Sequence, residues 1–475
     1  MHKALIFCSI LFYSVLSLAQ NKSVQVVVRD KISHETLIGV NISESNKPLG
    51  RTDVTGTCRL KLSLEKHQLS FSYTGYQTYQ LEIDLLNHPI ESLEILLEAR
   101  SEALKQITVS GSRFEKRMAE EIVSIEVLKP VYVLQTANNQ VDDALQRVAG
   151  VDVVENQVNI RGGSGWSYGA GSRVLVLVDD MPMLTADAGD AKWDFLPIEN
   201  CEQIEVIKGA SSCLYGSSAL NGVINFRTGF ARQKSKTKVM LYNGLYGNPP
   251  DKRWAWWGKQ QPGFQGGYLM HAQKFGAWDM VLGSAWYNED SYLQGDLNRR
   301  GRVNLNLRYR FPKVEGLIAG LNSNVQLNKS QTFFFWQPDS VNGTKYYQPF
   351  GGLADSSTTL NKNNGQRMNF DPYLSYTGRR GAKHILRTRY FRSNNDIPEK
   401  QQSSKAITGY GEYQFQKRIQ HTSPWLNELN LITGLSGSYS EVEGALFGNH
   451  QIMNMAPYLQ AEKKFGKLWT SLGMR

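Results

Sequence analysis

The chain has little of what most catalytic and metal centres are built from. Its 475 residues hold four cysteines and eight histidines. The histidines are scattered, no His-Glu-x-x-His pair occurs, and the cysteine spacing matches no zinc pattern. Walker loops and dinucleotide fingerprints are also missing. No cofactor, no metal site and no catalytic residue is therefore expected. After the first twenty positions no apolar run reaches eighteen residues, so no transmembrane helix is readable. Mean hydropathy is −0.39. That value does not exclude a membrane protein, because a transmembrane β-barrel alternates apolar and polar residues and averages to an ordinary figure. Aromatic residues are not scarce. They make up 11% of the chain, with 22 Tyr and 10 Trp, as the interfacial girdles of such barrels require.

Charge divides the chain into unlike parts. Residues 100–230 carry 12 Lys+Arg against 17 Asp+Glu, whereas residues 231–475 carry 32 against 16. The formal net charge of +10 is thus a basic C-terminal half set against an acidic middle. The basic residues are dispersed along strands rather than gathered on one helix or tail, so nucleic acid is not an expected partner.

His2 and Lys3 lead into a mostly apolar run, residues 4–18, too short to span a bilayer and suited to a secretory signal. Ser17 and Ala19 supply small residues at the cleavage positions, so residues 1–19 are expected to be removed. Cys8 leaves with them. Of Cys58, Cys201 and Cys213, the last two could bridge in an oxidising compartment; buried free thiols are the commoner alternative.

Residues 20–98 read as an all-β unit. A strand opens at Val24, and short strands follow at 39–42, 69–73 and 93–97, about seven in all, the pattern of an Ig-like β-sandwich. Residues 99–113 are a linker whose β-branched centre can pair as an isolated strand or close the preceding domain. Residues 114–230 are mixed α/β. A helix is expected over 141–148, with Asp142 and Asp143 near its start. Strands follow at 151–154, 174–178 and 203–207, separated by loops at 162–172 and 181–190. Residues 231–475 switch to a period of two. In 302–311 apolar or aromatic residues take the odd positions and polar ones the even, and 317–328 repeats the pattern. About eleven such strands are readable, each long enough to cross a bilayer at a tilt. Tight connections at 274–276, 312–316, 378–381 and 464–466 alternate with long ones at 247–262, 288–299 and 329–365. A soluble sandwich also alternates, but has no reason to separate short and long connections so regularly. The expected fold class is mainly β: an Ig-like β-sandwich, an α/β domain, and an antiparallel transmembrane sheet.

Five motifs stand in order in the middle domain: Asn159-Ile160-Arg161-Gly162-Gly163, Val174-Leu175-Val176-Leu177-Val178-Asp179, Ile204-Glu205-Val206-Ile207-Lys208-Gly209, Leu214-Tyr215-Gly216 and Asn221-Gly222-Val223-Ile224-Asn225. Together they resemble the plug domain of TonB-dependent receptors. The sequence departs from that pattern at Asp180, where the family usually has Gly, and at Ala210, where Pro is frequent. Gly50-Arg51-Thr52-Asp53-Val54-Thr55-Gly56 with Tyr73-Thr74-Gly75-Tyr76 resembles the carboxypeptidase-regulatory-like domain that often precedes such receptors in Bacteroidetes. Cys58 stands where that family has an aromatic residue.

The resemblance implies a receptor in the outer membrane of a Gram-negative bacterium, filled by its plug. It implies a large extracellular ligand as partner, with outer-membrane lipid around the barrel. TonB, with its inner-membrane energising complex, would pull on a released linker, and Ile107, Thr108, Val109 and Ser110 match the TonB box in place and character. An extended β-branched segment can add itself to a sheet edge. Arg161, Glu205 and Lys208 are expected either to hold the plug in the barrel or to lie at solvated strand ends. Gly162, Gly209, Gly216 and Gly222 are expected to serve turns and close packing. The outward apices would be the loops after Arg161 and Met181, with Trp166, Tyr168, Met183 and Asp187 as candidate ligand contacts. Trp254, Trp256, Trp257 and the 333–336 aromatics either add a ligand-facing wall or belong to the interfacial girdle. A basic lumen favours an anionic ligand such as a ferric siderophore; cobalamin, haem and oligosaccharide stay open.

Gly165-Trp166-Ser167-Tyr168-Gly169 fits a hydrolase elbow, but a strand rather than a helix is expected after Ser167, against that chemistry. A non-transporting binding protein on the same fold is the main alternative. Size adds one more expectation. A plug of about 120 residues needs roughly 35 Å, whereas eleven tilted strands would close to about 22 Å and twenty-two to about 44 Å. The sheet is therefore expected to be open, about half of a 22-strand wall from a C-terminally truncated chain, with the strand near 236–246 free on one edge.

Overall fold

The computed structural model describes residues 21–31, 36–45, 47–53, 55–73, 76–88, 90–98, 108–109, 116–117, 121–130, 141–154, 157–163, 166–167, 171–209, 212–336, 347–353, 357–397, 399, 401–419, 423, 426–466 and 468–475. The expected signal segment, Ile107, Ser110 and Tyr168 lie outside the described residues. Two compact units result, Met1–Ile107 and Thr108–Arg475.

In the first unit, alternation is what builds the core. Val24, Val26 and Val28 point to one side of the strand Asn21–Asp30 and are fully buried. They meet Leu60, Leu69, Phe71, Ile95 and Leu97 in one cluster. Seven strands form two sheets. One has the order Thr57–Ser63, Asn21–Asp30, Ser92–Leu97, and the other Lys47–Arg51, Asn41–Glu44, Lys66–Ser72, Tyr79–Asp84. The sandwich expected from strand spacing is what forms. A Cβ on Gly50 would lie 2.7 Å from the Cys58 sulfur, so the two positions fit each other as small residues.

The second unit contains the plug and a large sheet. The plug sheet has the order Ser124–Leu128, Cys201–Lys208, Gly222–Thr228, Val174–Val178, Met181–Pro182. Val174–Val178 is buried along its whole length, as an unbroken apolar run in an inner strand demands. It pairs in parallel with Gly222–Thr228. Gly222 is obligatory there, because a Cβ would stand 2.4 Å from the Ile207 carbonyl oxygen. The helix is shorter than its periodicity predicts, Val141–Leu145. The Val148 N–H reaches back only three residues, to Leu145, and Gly150 at φ 73° turns the chain away.

Eleven antiparallel strands run in sequence order from Lys236–Leu245 to Leu468–Met474. Among the described residues these two edge strands have one neighbour each and do not pair with each other, so the sheet is open, as expected. Several strands exceed the expected length: Leu317–Thr332 has 16 residues and Gly448–Phe465 has 18. Polar residues at strand ends go on pairing past the apolar band, with Asp290 opposite Leu297 and Thr332 opposite Asn361. The expected connection at 288–299 therefore shrinks to 291–296, and that at 329–365 to 333–360. Alternation of connection length also fails further on. The link at 445–447 is tight where a long one is due, because Gly448 at φ 79° permits a close turn, and the link at 420–428 is the longer of the two.

The two faces of the sheet are inverted relative to a soluble protein. Val303, Val325, Leu327 and Phe370 are exposed, whereas Arg302, Asn304, Asn306, Asn322, Asn324 and Gln326 are buried. Polar residues face the plug and apolar residues face outward, the arrangement a barrel wall needs in lipid. No described helix is long and apolar enough to cross a membrane, which says nothing about strands.

Candidate functional site: the interface between plug and wall

Asp179 and Asp180 form a two-residue hairpin between paired Val178 and Met181. Their φ angles are 51° and 68°, both left-handed, which this turn requires and Gly supplies most cheaply. Asp180 occupies that conformation with its carboxylate held on several sides. It accepts from Asn225 Nδ2, from Arg227 and from Arg387 of the wall, each at 3.0 Å. Arg387 also reaches Glu412 at 3.2 Å, and Glu412 accepts from the Tyr458 hydroxyl at 2.7 Å. One plug turn is thereby joined to three wall strands, Lys383–Asp396, Ser404–Ile419 and Gly448–Phe465. Asp179 accepts from the Thr228 backbone at 2.9 Å, the Thr228 hydroxyl at 2.7 Å and Asn322 of the wall at 3.0 Å. Burial pushes its carboxyl above the usual range despite these donors.

A second attachment is the segment carrying two short 3-10 turns, Trp193–Phe195 and Ile198–Asn200. Arg302 donates to the carbonyls of Asp194 and Leu196 and to the Glu199 carboxylate. Asn304 also donates to Glu199. Asn324 donates to the Phe195 carbonyl at 2.6 Å and Gln326 to Asp194 at 2.7 Å. Burial alone would raise the Asp194 carboxyl, but the charges of Arg367 and Arg300 and the Gln326 bond hold it below its ordinary value. Phe391 of the wall lies against Phe195, centroids 5.8 Å apart, and joins the plug core.

A third attachment is the loop after Met181. Arg389 pairs with Asp371 at 2.6 Å, both side chains 1% exposed. It also donates to the carbonyls of Met181 and Pro182 at 2.9 and 2.6 Å and approaches the Met183 sulfur at 3.3 Å. Asp187 accepts from Ser404 at 2.7 Å and from Asn395 at 3.2 Å. Burial raises the Asp187 carboxyl, but Ser404, Thr185 and Lys192 outweigh it and leave it below the usual range. Around Ser404 and Asn395 lies a polar depression of about 410 Å³ that includes Asp396, Lys405, Glu443 and Asn449.

Several expected site residues therefore stand elsewhere than foreseen. Met183 is buried in the plug core and gripped from the wall, so it does not face outward. Asp187 is turned to the wall. Lys208 bonds Glu126 at 2.6 Å and the Ala149 carbonyl at 2.7 Å, both in the plug. Glu205 accepts from Gln203 at 2.7 Å and lies 3.7 Å from Arg227, also in the plug. Arg161 is exposed at φ 55° beside Gly162 at 71°. Gly209 closes on the Asn221 carbonyl at 3.0 Å, and Gly216 at φ 91° follows the short helix that buries Tyr215. The backbone of Trp166–Ser167 pairs with Gly171–Ser172, so a strand does follow Ser167. Thr108–Val109 pairs with Lys116–Arg117 as an isolated two-stranded piece.

All three described cysteines are free, and the Cys201 thiol donates to the Gln203 carbonyl at 3.1 Å; the bridge to Cys213 does not form. Trp254, Tyr292 and Trp336 all meet the Tyr347 ring, so the long connections hold together through aromatic contacts. Phe334 and Phe335 remain exposed beside them. The gripping residues Arg302, Asn304, Arg387 and Arg389 were missed. Their signal was present: charged and amide residues at polar positions of alternating strands face a filled lumen.

An α/β domain fixed to the polar face of an outward-apolar antiparallel sheet is the architecture of a plugged barrel wall. Residues 117–223 match the family model of the TonB-dependent receptor plug domain, and residues 25–109 that of the CarboxypepD_reg-like domain. The vitamin B12 transporter BtuB of Vibrio cholerae is 31% identical over 134 residues, 28% of this chain and 22% of that protein. BtuB of Vibrio vulnificus (strain CMCP6) is 34% identical over 139 residues, 29% and 23% of the two chains. The matched part thus spans less than a quarter of either relative. Among solved structures, the siderophore receptor PirA of Pseudomonas aeruginosa has a TM-score of 0.55 at 14% identity, covering 74% of this chain and 56% of that one. The pyoverdine receptor FpvA of the same organism has a TM-score of 0.57 at 14% identity, covering 77% and 58%. These two likenesses show the fold. Residues 117–223 and 25–109 are thus similar to the plug and the CarboxypepD_reg-like domain of TonB-dependent receptors, outer-membrane β-barrel proteins of Gram-negative bacteria, and the sheet shares the fold of their barrels.

Proposed function

We propose that this protein carries out energised uptake of a large, scarce, anionic ligand, a ferric siderophore by class. The observation that carries the reading is the chemistry of the interface. Plug and wall are joined mainly by carboxylates, arginines and amides, such as Asp180 with Arg387 and Glu199 with Arg302. Water can replace such bonds when the interface opens, whereas exposing an apolar core costs about 25 cal/mol for each Å². A polar interface suits a plug that must be displaced and reseated. The basic excess of residues 231–475 favours an anionic ligand. Residues 99–113 are the proposed linker, with Ile107, Thr108, Val109 and Ser110 as the strand offered to TonB. Trp166 and Tyr168 are the proposed ligand contacts, and Asp187 the link from their apex to the wall.

Deleting residues 104–110 from the full-length receptor tests the reading. Cells should keep ligand binding at the surface and lose accumulation. Unchanged accumulation would instead establish a binding protein that does not use this linker. Growth on ferric siderophores, compared with cobalamin as sole supplement, decides the ligand class.

A further inference from the structure

Beside the Asp179–Asp180 hairpin, plug and wall enclose a cavity of about 10 Å³, room for one water-sized particle. Its lining includes Asp179, Thr228, Asn322, Asn324, Asn369 and Asp371. The amide nitrogens of the three asparagines are engaged: Asn322 with Asp179 at 3.0 Å, Asn324 with the Phe195 carbonyl at 2.6 Å, Asn369 with Asp371 at 2.7 Å. Carbonyls and carboxylates accept only, so turning any of these amides over would set oxygen against oxygen. The amide orientations are thereby fixed, and the three Oδ1 atoms receive no hydrogen bond from the described residues. The residues are 7%, 3% and 3% exposed, so bulk water does not serve them. Three orphaned acceptors in one buried place are costly unless something satisfies them.

The charges narrow the choice. Asp371 is matched by two donors of Arg389, at 2.8 and 2.6 Å. Asp179 is bonded by neutral donors, Thr228 and Asn322. Arg227 also acts on Asp179 through its charge, but its direct ion pairs are with Asp180 and Glu205, so the cavity presents one carboxylate without an arginine of its own and three amide oxygens, all hard oxygen ligands. A single water has two protons to give and would leave one amide oxygen unmet. A metal cation meets all of them at once. Calcium sites ordinarily bring more carboxylate charge, and magnesium retains several waters for which this space has no room.

We propose that this cavity binds one monovalent cation of sodium size, ligated by the Asp179 carboxylate and the amide oxygens of Asn322, Asn324 and Asn369, and that the ion fastens the plug to the wall. The inference does not depend on which ligand is carried or on whether uptake is energised.

Thermal unfolding of the detergent-solubilised full-length protein provides the test, in sodium chloride against N-methylglucamine chloride at equal ionic strength. The midpoint should rise with the logarithm of sodium concentration and not with the organic cation. Asn324→Leu, which keeps the volume and removes the oxygen, should abolish that sodium-dependent rise whatever it does to the baseline. Should that variant not fold, crystals of the unmodified protein soaked in a thallium(I) salt decide, with an anomalous peak expected among the three amide oxygens. Equal midpoints in both salts without a peak would mean an ordered water and overturn the proposal. Stabilisation by micromolar calcium but not by sodium would overturn the monovalent assignment.

Discussion

At the scale of single residues, a side chain counts here for what it can donate or accept once buried. Asp180 takes a turn position where Gly is expected, and three partners compensate its left-handed backbone. His67 is a comparable case in the N-terminal domain. Its Nδ1 lies 2.9 Å from Glu44 and its Nε2 2.9 Å from the Ser63 carbonyl. Both partners accept, so the ring is best satisfied as the imidazolium. Burial alone would lower the His67 pKa, but the Ser63 carbonyl and the Glu44 carboxylate outweigh it and hold it above its ordinary value. A folded pKa above the unfolded one gives stability that is complete below about pH 6.5 and lost as pH rises through the folded value. The transition of this domain should therefore fall in temperature as pH rises above about 6.5. His67→Gln should flatten that dependence in calorimetric scans; an equal fall in the variant would remove His67 as the cause.

At the scale of elements, alternation did most of the work. The period of two predicted about eleven strands and assigned their faces, because a strand sends successive side chains to opposite sides. Which face would be buried is inverted by lipid: Val303 is 53% exposed at the middle of its strand while Arg302 and Asn304 are buried. Val303→Arg should accordingly destabilise the folded receptor in lipid by about 2–4 kcal/mol, as charge at the bilayer midplane does. Urea unfolding of the reconstituted protein measures it, and a neutral result would mean that Val303 does not face acyl chains. Connection lengths were read less well. Pairing at strand ends depends on cross-strand partners such as Asp290 opposite Leu297, which one strand's own pattern does not contain. The helix expected over 141–148 stops at Leu145 for a similar reason, since the apolar spacing runs on to Val148 after the helical bonding has tightened.

At the scale of the whole molecule, an acidic domain and a basic sheet meet through a small number of buried groups. Arg302 is one of them, reaching two plug carbonyls and the fully buried Glu199. Arg302→Met should leave the Glu199 charge without its partner and cost about 3–5 kcal/mol. The loss should appear as faster hydrogen exchange across residues 192–200, with Arg302→Met/Glu199→Gln recovering part of the protection. Uniform loss of protection throughout the wall would show instead that Arg302 supports the sheet rather than the plug.

The amino-acid sequence by itself determined the division into sandwich, plug and sheet, the number of wall strands and their two faces. All of these follow from local periodicity, glycine placement and short motifs, which act between near neighbours in the chain. It also determined that acid sits in the plug and base in the wall. Only the tertiary structure decided which acid meets which base. Lys208 and Glu205 bond within the plug, while Asp180, Asp187 and Glu199 reach residues more than a hundred positions away. It alone turned Met183 inward and gathered Asn322, Asn324 and Asn369 with Asp179 around one small cavity. Such partnerships depend on the register of strands against a docked domain, and register is set by the sum of many contacts that no single segment carries.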